Sequence, residues 1–297
     1  TVEIIPILDI KHHSEAKNIT DVSQLHVNFI TRYKKLSDGI RLAKAFAMAQ
    51  KVYGAESYIQ GFSGYVLELL TIYYGSFHNL IKAVAHWKEK TMIGPRKLIE
   101  RLNYAKKVSP LIIIDPVQPD RNAGAALSKE KYDKFIGSCK LFLKEPSEKF
   151  FEVKKVNINE LKKKGRLVIL KVKPRKGKED VIGAKCLKAF NFIKNSVEKN
   201  DFKLKEVIFD FNKDITKFYF IVEKKPLSSK KIHYGPPLGN KEAVKIFKKR
   251  YGKVKIKEDR VYTQIKRDYT KIDGFLAYLI RDGYLKDKVV SIGIAKN

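Results

Sequence analysis

The sequence predicts an α+β protein whose first half is mainly helical and whose second half combines strands with helices. The first observation is a series of segments with apolar residues at helical spacing before residue 146, among them Ser37 to Val52 and Lys129 to Lys144. The second is a change of composition at about residue 147. The lysine-rich segments beyond it either alternate apolar and polar residues or contain continuous apolar runs, and both patterns are typical of strands. The third is their order, β-α-β-β, which is typical of a small sheet with helices on one face.

The N-terminal residues are predicted to belong to a sheet. Residues 2 to 8 (VEIIPIL) are rich in β-branched residues and indicate a strand that Pro6 cuts short. A loop and a helix follow between residues 15 and 36, and either Asp21 or Ser23 is predicted to cap that helix.

The next predicted helix, Ser37 to Val52, has Ser37 as its predicted cap. Its residues Arg41, Lys44 and Lys51 lie on one flank. Such a stripe is usually solvated surface, but this one leads directly to a glycine turn.

The whole chain is organised around the stretch from Tyr53 to Phe77 (YGAESYIQGFSGYVLELLTIYYGSF). It contains two glycine turns and a helix that is apolar nearly all round, which predicts a buried helix. Ser63 is the predicted N-cap, so the free amides of the first helical turn face the preceding glycines. Glycines there permit close approach of a ligand, and a helix N-terminus favours an anion. The alternative is an ordinary loop that leads into a core helix.

Residues 111 to 115 (LIIID) predict a short buried strand, and Pro116 to Asp120 end it. Arg121 and Asn122 are then predicted to open a helix of small residues, Ala123 to Leu127. An arginine at such a position is either a solvated surface charge or a clamp for a ligand.

Three strands are predicted in the second half, at Arg166 to Val172, Phe202 to Phe211 and Thr216 to Lys224, with a helix between the first two at Val181 to Glu198. The third strand carries aromatic rings among lysines, including Tyr219. If these rings are exposed, they could stack on RNA bases. The alternative is packing in the core, which is the expected role of at least half of the rings.

Gly235, Pro236 and Pro237 are predicted to break the chain. Further elements are predicted after this break: a helix at 241–250, strands at 253–257 and 261–267, and a helix at 272–282.

Charge gives the strongest statement about function. The 297 residues include 62 Lys and Arg against 32 Asp and Glu, a formal net charge of +30. So large an excess of one sign implies a polyanionic partner, and nucleic acid is the default. The apolar runs are too short to span a membrane, and Cys139 and Cys186 form no metal or disulfide pattern. These observations predict a cytoplasmic protein with no membrane partner.

Several well-defined chemistries are excluded by sequence. There is no phosphate loop of the G-x-x-x-x-G-K-[ST] type and no G-x-G-x-x-G. There is no Cys/His metal spacing, no nucleophile elbow and no pair of carboxylates one residue apart. Composition and pattern alone therefore lead to a basic, RNA-binding protein with a cation-lined pocket.

Four segments together resemble the archaeal class I CCA-adding enzymes, which are tRNA nucleotidyltransferases. They are VEIIP at 2–6, VYGAE at 52–56, GFSGYVLELLTIYYGSF at 61–77 and IIDPVQPDRNAGAALS at 113–128. A weaker likeness continues through GPP at 235–237 and KRDYTKIDGFLAYL at 266–279, so the resemblance covers nearly the whole chain.

The resemblance implies a fold and an activity. It implies a remnant of a nucleotidyltransferase head with its last strand (1–30), a helical neck (31–146) and a mixed α+β body with an inserted β-α-β-β, RRM-like tail (147–297). The implied activity is addition of CMP, CMP and AMP to the tRNA 3′ end, from CTP and ATP, without a nucleic-acid template. The implied partners are the acceptor arm and elbow of tRNA.

The resemblance also implies roles for individual residues. Glu3 matches a catalytic metal carboxylate that would help to hold Mg²⁺, although the family more often has Asp there. The nucleotide site would comprise Ser23 and His26 near the nucleotide, Lys44 and Tyr53 on the triphosphate, and Arg121 on the edge of the incoming base. The implied RNA contacts are Ser63, Gly64, Tyr219, Gly235 and Pro236.

One part of the family pattern is missing. The family head begins with a Gly-Ser turn and two close carboxylates, and no Gly-Ser of this sequence is followed by a pair of carboxylates one residue apart. We therefore expect a split enzyme in which a separate small head subunit supplies them, and a homodimer is left open. The alternative is a non-catalytic tRNA-binding protein that has lost its head.

Overall fold

The structure, a computed structural model, describes residues 4–18, 20–153 and 155–295. Two compact units make up the chain, Thr1–Val156 and Asn157–Asn297. Glu3 and the beginning of the predicted N-terminal strand lie outside the described residues. Over residues 4–8 the backbone forms no strand, and Ile4 is 88% exposed, so the predicted strand is wrong for this part. A strand needs a hydrogen-bonded neighbour, and these residues pair with none in the described chain.

The first unit is built on helices whose apolar sides meet in one core. Ser63 caps the most apolar of them as predicted, because its Oγ accepts a hydrogen bond from the amide of Val66 at 3.1 Å. This helix ends at Gly75, whose φ of 78° lies in the left-handed region that favours glycine. The helices are α1 (Ser23–Thr31), α2 (Ser37–Ala49), α3 (Gly64–Tyr74) and α4 (Phe77–Ala85).

The other predicted caps are wrong, and Ser23, the alternative to Asp21, is the first residue of α1 and makes no capping hydrogen bond. Asp21 is buried, and its carboxylate accepts the amides of Leu8, Lys17 and Asn18, so it anchors the loop before α1 instead of capping the helix. Ser37 is the first residue of α2, and its hydroxyl donates to the carbonyl of Lys34 in a preceding 3-10 helix. In both cases the side chain that would cap the helix forms hydrogen bonds with nearby backbone groups instead.

A small parallel sheet completes the first unit. Its two strands pair over three residues, and every residue of the second is buried, as the LIIID segment predicts. The elements after α4 are β1 (Thr91–Ile93), α5 (Arg96–Arg101), β2 (Leu111–Ile113) and α6 (Lys129–Lys144). The last helix has its predicted bounds.

The small-residue helix predicted at Ala123 to Leu127 is wrong, because residues 123–126 form turns. Asn122 explains the difference. Its Oδ1 accepts the amides of Ile113 and Gly124, and its Nδ2 donates to the carbonyl of Leu111. These bonds fix the backbone next to β2 and compete successfully with helix formation.

The second unit contains two sheets and their helices. In chain order its elements are α7 (Ile158–Lys164), β3 (Arg166–Lys173), α8 (Glu179–Lys199), β4 (Leu204–Asp210), β5 (Thr216–Val222), β6 (Lys230–Pro237), α9 (Lys241–Tyr251), β7 (Lys255–Lys257), β8 (Arg260–Lys266), α10 (Ile272–Leu279), α11 (Gly283–Lys288) and β9 (Ser291–Ile294).

The larger sheet has the antiparallel order β4-β5-β3-β9, and α8 joins β3 to β4. The predicted sequence of elements, β-α-β-β, is present as β3, α8, β4 and β5. The last strand, β9, pairs with β3 and completes this sheet. The second sheet, β6-β8-β7, and its helix α9 are therefore inserted in the sequence between β5 and β9.

Of the two roles that the sequence leaves open for the aromatic rings of β5, core packing is confirmed and an exposed face is wrong. Phe218 and Phe220 are 0% exposed and pack in the core with Phe190 of α8. Tyr219 points to the other face and is only 3% exposed. The reason is the run of five apolar residues from 218 to 222, which is typical of a strand buried on both faces. An RNA contact by Tyr219 would require this packing to open.

Gly235, Pro236 and Pro237 do not break the chain but lie within β6. The register shifts between Tyr234 and Pro237, and β6 is an edge strand, where proline is tolerated. Gly235 is needed for packing, since a Cβ atom there would lie 2.9 Å from the ring of Phe247 in α9.

Candidate functional site

The centre of the candidate site is Asp115, which follows β2 and is 0% exposed. Its Oδ1 accepts hydrogen bonds from the hydroxyl of Tyr65 and the amide of Val117, both at 2.9 Å, and from the amide of Gln118 at 3.3 Å. Its Oδ2 lies 2.9 Å from Nη1 of Arg121 and 3.1 Å from Nε2 of His26. Five donors therefore surround one carboxylate.

These donors decide the charge of the carboxylate. Burial alone would raise the pKa of Asp115, but the hydrogen bonds from His26, Val117 and Tyr65 together lower it below its ordinary value. Asp115 is therefore ionised at neutral pH. Burial, followed by the charge of Asp115 and the hydrogen bond to it, raises the pKa of Tyr65, which stays a neutral donor.

The loop after β2 holds Arg121 beside this carboxylate. The amide of Asp115 donates to the carbonyl of Arg121 at 3.1 Å, and the amide of Arg121 donates to the carbonyl of Gln118 at 2.9 Å. The guanidinium is thus fixed through Nη1, while its side chain remains 36% exposed. Its other nitrogens make no protein hydrogen bond within the described chain and are available to a ligand.

A second cluster lies at the N-terminus of α3. Nζ of Lys44 in α2 is 2.6 Å from Oε1 of Glu68, and the two side chains are 28% and 20% exposed. Tyr53 forms a bridge with Phe62. A Cβ atom added at Gly64 would lie 3.0 Å from the hydroxyl of Tyr53 and 3.7 Å from Nζ of Lys44. The glycine therefore leaves space where a hydroxyl, an ammonium and a helix N-terminus meet.

The first turns of α3 join the two clusters. Tyr65 and Glu68 are three residues apart and therefore lie on one face of the helix. The charges of both Arg121 and Glu68 act on the pKa of Tyr65. On the other side, the rings of Tyr65 and His26 lie 4.2 Å apart, and Ser23 is one turn before His26 in α1.

The structure therefore brings most of the predicted site residues together in the first unit, where they are Ser23, His26, Lys44, Tyr53, Ser63, Gly64 and Arg121. Tyr219, Gly235 and Pro236 belong to the second unit, where the first two are buried. Glu3 lies outside the described residues.

Three residues of this site were not predicted. Asp115, Tyr65 and Glu68 hold the predicted cations and aromatic rings in place. The available signal for Asp115 was an acid directly after a fully apolar strand, since a buried carboxylate needs hydrogen-bond donors. Tyr65 and Glu68 interrupt the apolar surface of α3 at a spacing of three residues, which marks one polar edge.

The described residues do not fit a Mg²⁺ site. Among residues 4–18, 20–153 and 155–295 no group of three or more His, Cys, Asp or Glu side chains could hold a metal ion. Asp115 is surrounded by five donors, which leaves its oxygens no free lone pair for a cation. A metal ion would therefore need ligands other than these residues.

The arrangement suits an anionic ligand with a flat polar group. Lys44 provides a point charge, Tyr53 a hydroxyl donor and α3 the amides of its first turn, all of which favour phosphate. Arg121 provides a fork of donors whose orientation is fixed at one end, which is suited to the edge of a base.

Two family models match this chain. Residues 38–152 match the family described as the tRNA nucleotidyltransferase second domain, and residues 165–287 match the CCA-adding enzyme C-terminal domain. The first match includes Lys44, Tyr53, α3 and Arg121.

No helix of the described residues is long and apolar enough to cross a membrane.

Curated relatives extend the match over most of the chain. The CCA-adding enzyme of Nanoarchaeum equitans is 32% identical over 281 residues, which are 92% of this chain and 69% of that protein. That of Methanocaldococcus jannaschii is 33% identical over 91% of this chain and 63% of its own length. That of Saccharolobus shibatae is 36% identical over 69% and 49%. The chain thus spans between about half and two thirds of the length of these relatives, and it belongs to the family of CCA-adding enzymes, which are nucleotidyltransferases.

Proposed function

We propose that this chain binds tRNA and the incoming nucleotide in CCA addition, the transfer of CMP, CMP and AMP from CTP and ATP to the tRNA 3′ end without a nucleic-acid template. The observation that carries the proposal is that Lys44 and Tyr53 meet at Gly64, at the start of α3, while Asp115 links Arg121 to Tyr65 in the same helical turn. A non-catalytic role has no observation of its own in its favour.

Each side chain has a role that its chemistry supports. Lys44 and Tyr53 bind the triphosphate as a cation and a hydroxyl donor. Arg121 donates to the edge of the base, with one end of its guanidinium held by Asp115. Ser23 and His26 lie on the α1 face beside Tyr65 and border the nucleotide. Ser63 and Gly64 contact the RNA end at the same helix N-terminus.

Metal chemistry belongs to another part of the active site in this proposal. Mg²⁺ would supply activation of the terminal 3′-hydroxyl and neutralisation of the phosphates. Glu3 is the proposed ligand from this chain, and two further carboxylates would come from a nucleotidyltransferase head. The exposed apolar residues Ile4, Ile5, Ile7 and Leu8 support a contact between this N-terminal segment and such a head.

The second unit provides the surface for the acceptor arm and elbow of tRNA. The support for this assignment is the match of residues 165–287 to the C-terminal domain of CCA-adding enzymes, together with the exposed lysines of its sheets. Pro236 borders this surface in β6, and the buried Gly235 packs next to it against Phe247 of α9. We also propose that the larger sheet is RRM-like and that the protein forms a homodimer. Its proposed place of action is the cytoplasm, where the free Cys139 and Cys186 stay reduced.

The test is nucleotide binding to a complex of this chain with tRNA, measured by calorimetry. With tRNA that lacks all of CCA, CTP should bind more tightly than the other nucleoside triphosphates. With tRNA that ends in CC, ATP should bind most tightly. Binding of tRNA without this change of nucleotide preference would overturn the proposal.

Catalysis is tested in a separate assay with tRNA, CTP, ATP and Mg²⁺. The chain alone should bind tRNA and add no nucleotide, whereas addition of a head polypeptide with a Gly-Ser turn and two carboxylates should produce CCA addition. Robust addition by the chain alone would contradict the assignment of the metal site to a head.

A further inference from the structure

We propose that Asp115 determines base specificity as a positioning residue: its fixed negative charge orients Arg121 toward the incoming base and does not touch the nucleotide itself. The inference rests on the proposed role of Arg121 at the base edge. It assigns a function to a residue that the sequence patterns did not identify.

Asp115 has no free oxygen for another role. Its two oxygens are 0% exposed and accept from Tyr65, Val117, Gln118, His26 and Arg121. A carboxylate offers about four lone-pair directions, so five donors saturate it. It can neither take a proton from a substrate nor bind a cation without losing one of these partners.

The carboxylate of Asp115 also fixes one edge of the Arg121 guanidinium. Nη1 of Arg121 donates to Oδ2 at 2.9 Å, and Oδ1 is held by two backbone amides of the same loop. The carboxylate cannot rotate without breaking those amide bonds. The remaining donors of Arg121 are consequently directed away from Asp115, and an arginine that is oriented before binding loses less conformational entropy when it pairs with a base.

His26 and Tyr65 share the same carboxylate. An ionised carboxylate only accepts hydrogen bonds, so Nε2 of His26 and the hydroxyl of Tyr65 both carry protons toward it. The two rings lie 4.2 Å apart. The rings of His26 and Tyr65 and the guanidinium of Arg121 are therefore held by one carboxylate. A change at Asp115 should affect base selection without altering Lys44 and Tyr53.

The substitution Asp115→Asn replaces only one of the two carboxylate oxygens, by an amide nitrogen. The new amide nitrogen repels donors, so the remaining oxygen should stay where three donors converge, at the Oδ1 position. The nitrogen then faces Arg121 and His26. This nearly isosteric change should release Arg121 while it keeps the loop.

The functional readout compares CTP, UTP and inorganic tripolyphosphate as ligands of the complex with tRNA that lacks CCA. In Asp115→Asn the preference for CTP over UTP should fall by about 5- to 150-fold, the range expected for one base-edge contact. Affinity for tripolyphosphate, which has no base, should stay the same. Asp133→Asn, at an exposed ion pair with Lys129, is the matched control and should change neither value.

A double-mutant cycle with Arg121→Lys separates positioning from general stability. Asp115→Asn should reduce the CTP preference little further when Lys already occupies position 121, because the two residues act as a unit. An equal loss in both backgrounds, or a parallel loss of tripolyphosphate binding, would overturn the positioning role.

The structural readout needs neither nucleotide nor tRNA. In ¹⁵N NMR spectra of this chain, a guanidinium held at one Nη should give separate Nη1 and Nη2 signals for Arg121, identified by their absence in Arg121→Lys. These signals should merge in Asp115→Asn and stay separate in Asp133→Asn. Separate signals in Asp115→Asn, or merged signals in the unmodified chain, would overturn the proposal. If the unmodified complex binds no CTP, the proposed function fails while the NMR result still decides the role of Asp115.

Discussion

The two units present their cations in different ways. In the first unit, Lys44 and Arg121 are each held by a carboxylate and are only 28% and 36% exposed. In the second sheet of the second unit, Lys255 and Lys257 are exposed and have no ion pair with a described residue. The first arrangement fixes the position of a charge, and the second leaves a charge free to follow its ligand.

This difference indicates two kinds of recognition. A fixed, partly buried cation is weakly screened by salt and selects a ligand of defined shape. An exposed lysine contributes chiefly through release of counterions from a polyanion, which depends steeply on salt and little on sequence. The same excess of basic residues can therefore serve nucleotide selection in one unit and attraction of RNA in the other.

The largest expected effect is the salt dependence of tRNA binding. If the second unit contacts 6–10 phosphates, tRNA affinity should fall by about 10³- to 10⁵-fold between 50 and 200 mM salt. Binding of CTP to the preformed complex should fall much less over the same range. Fluorescence anisotropy for tRNA and calorimetry for CTP measure the two slopes. Equal slopes would remove the distinction between the units.

The next effect is that of Arg121→Ala on both nucleotides. Loss of a charge-assisted hydrogen-bonded group should cost roughly 1.5–3 kcal/mol, or about 10- to 150-fold in affinity for CTP and ATP alike. Affinity for tRNA should be unchanged. Arg96→Ala, at an exposed pair with Glu100 in α5, is the control and should have no effect on nucleotide binding. Unchanged binding of both nucleotides by Arg121→Ala would refute the base-reading role.

Local signals were sufficient for part of this structure. The cap at Ser63 and the buried helix α3 follow from neighbouring residues, and both were predicted. Lys44, Tyr53 and Arg121 were placed by resemblance, and the structure brings them to one end of α3.

The rest depends on contacts between distant segments. Two of the five donors of Asp115, His26 and Tyr65, lie 89 and 50 positions away, so no local window shows that this carboxylate joins distant segments. The residues from 123 to 127 have good helix propensity, yet the side chain of Asn122 fixes turns there instead. In β6 the edge position of the strand made its prolines acceptable, and an edge cannot be recognised before the sheet is known.

A smaller effect is expected from Lys44→Ala, and it sharpens the contrast between fixed and free cations. The substitution removes a triphosphate partner and also leaves Glu68 as an unpaired negative charge, so nucleotide affinity should fall by about tenfold or more. The double substitution Lys44→Ala with Glu68→Gln should recover part of that loss. Tyr53→Phe should cost about 0.5–1.5 kcal/mol. Loss of tRNA affinity without loss of nucleotide affinity would show that Lys44 contacts RNA.

The smallest expected effect is that of a single exposed lysine, Lys255→Ala. Lys255 lies in β7 opposite Tyr262 of β8 and is exposed. Removal of one phosphate contact should weaken tRNA binding nearly uniformly across tRNA sequences and lower the slope of log affinity against log salt by about 1. The loss at physiological salt should be below about 1 kcal/mol, because an exposed charge is well screened. The matched control is Lys97→Ala in α5, an exposed lysine of the first unit, which should leave the slope unchanged. If both substitutions lower the slope equally, attraction of RNA is a property of the whole basic surface. If only Lys255→Ala lowers it, the exposed sheet of the second unit is the part that follows the RNA backbone.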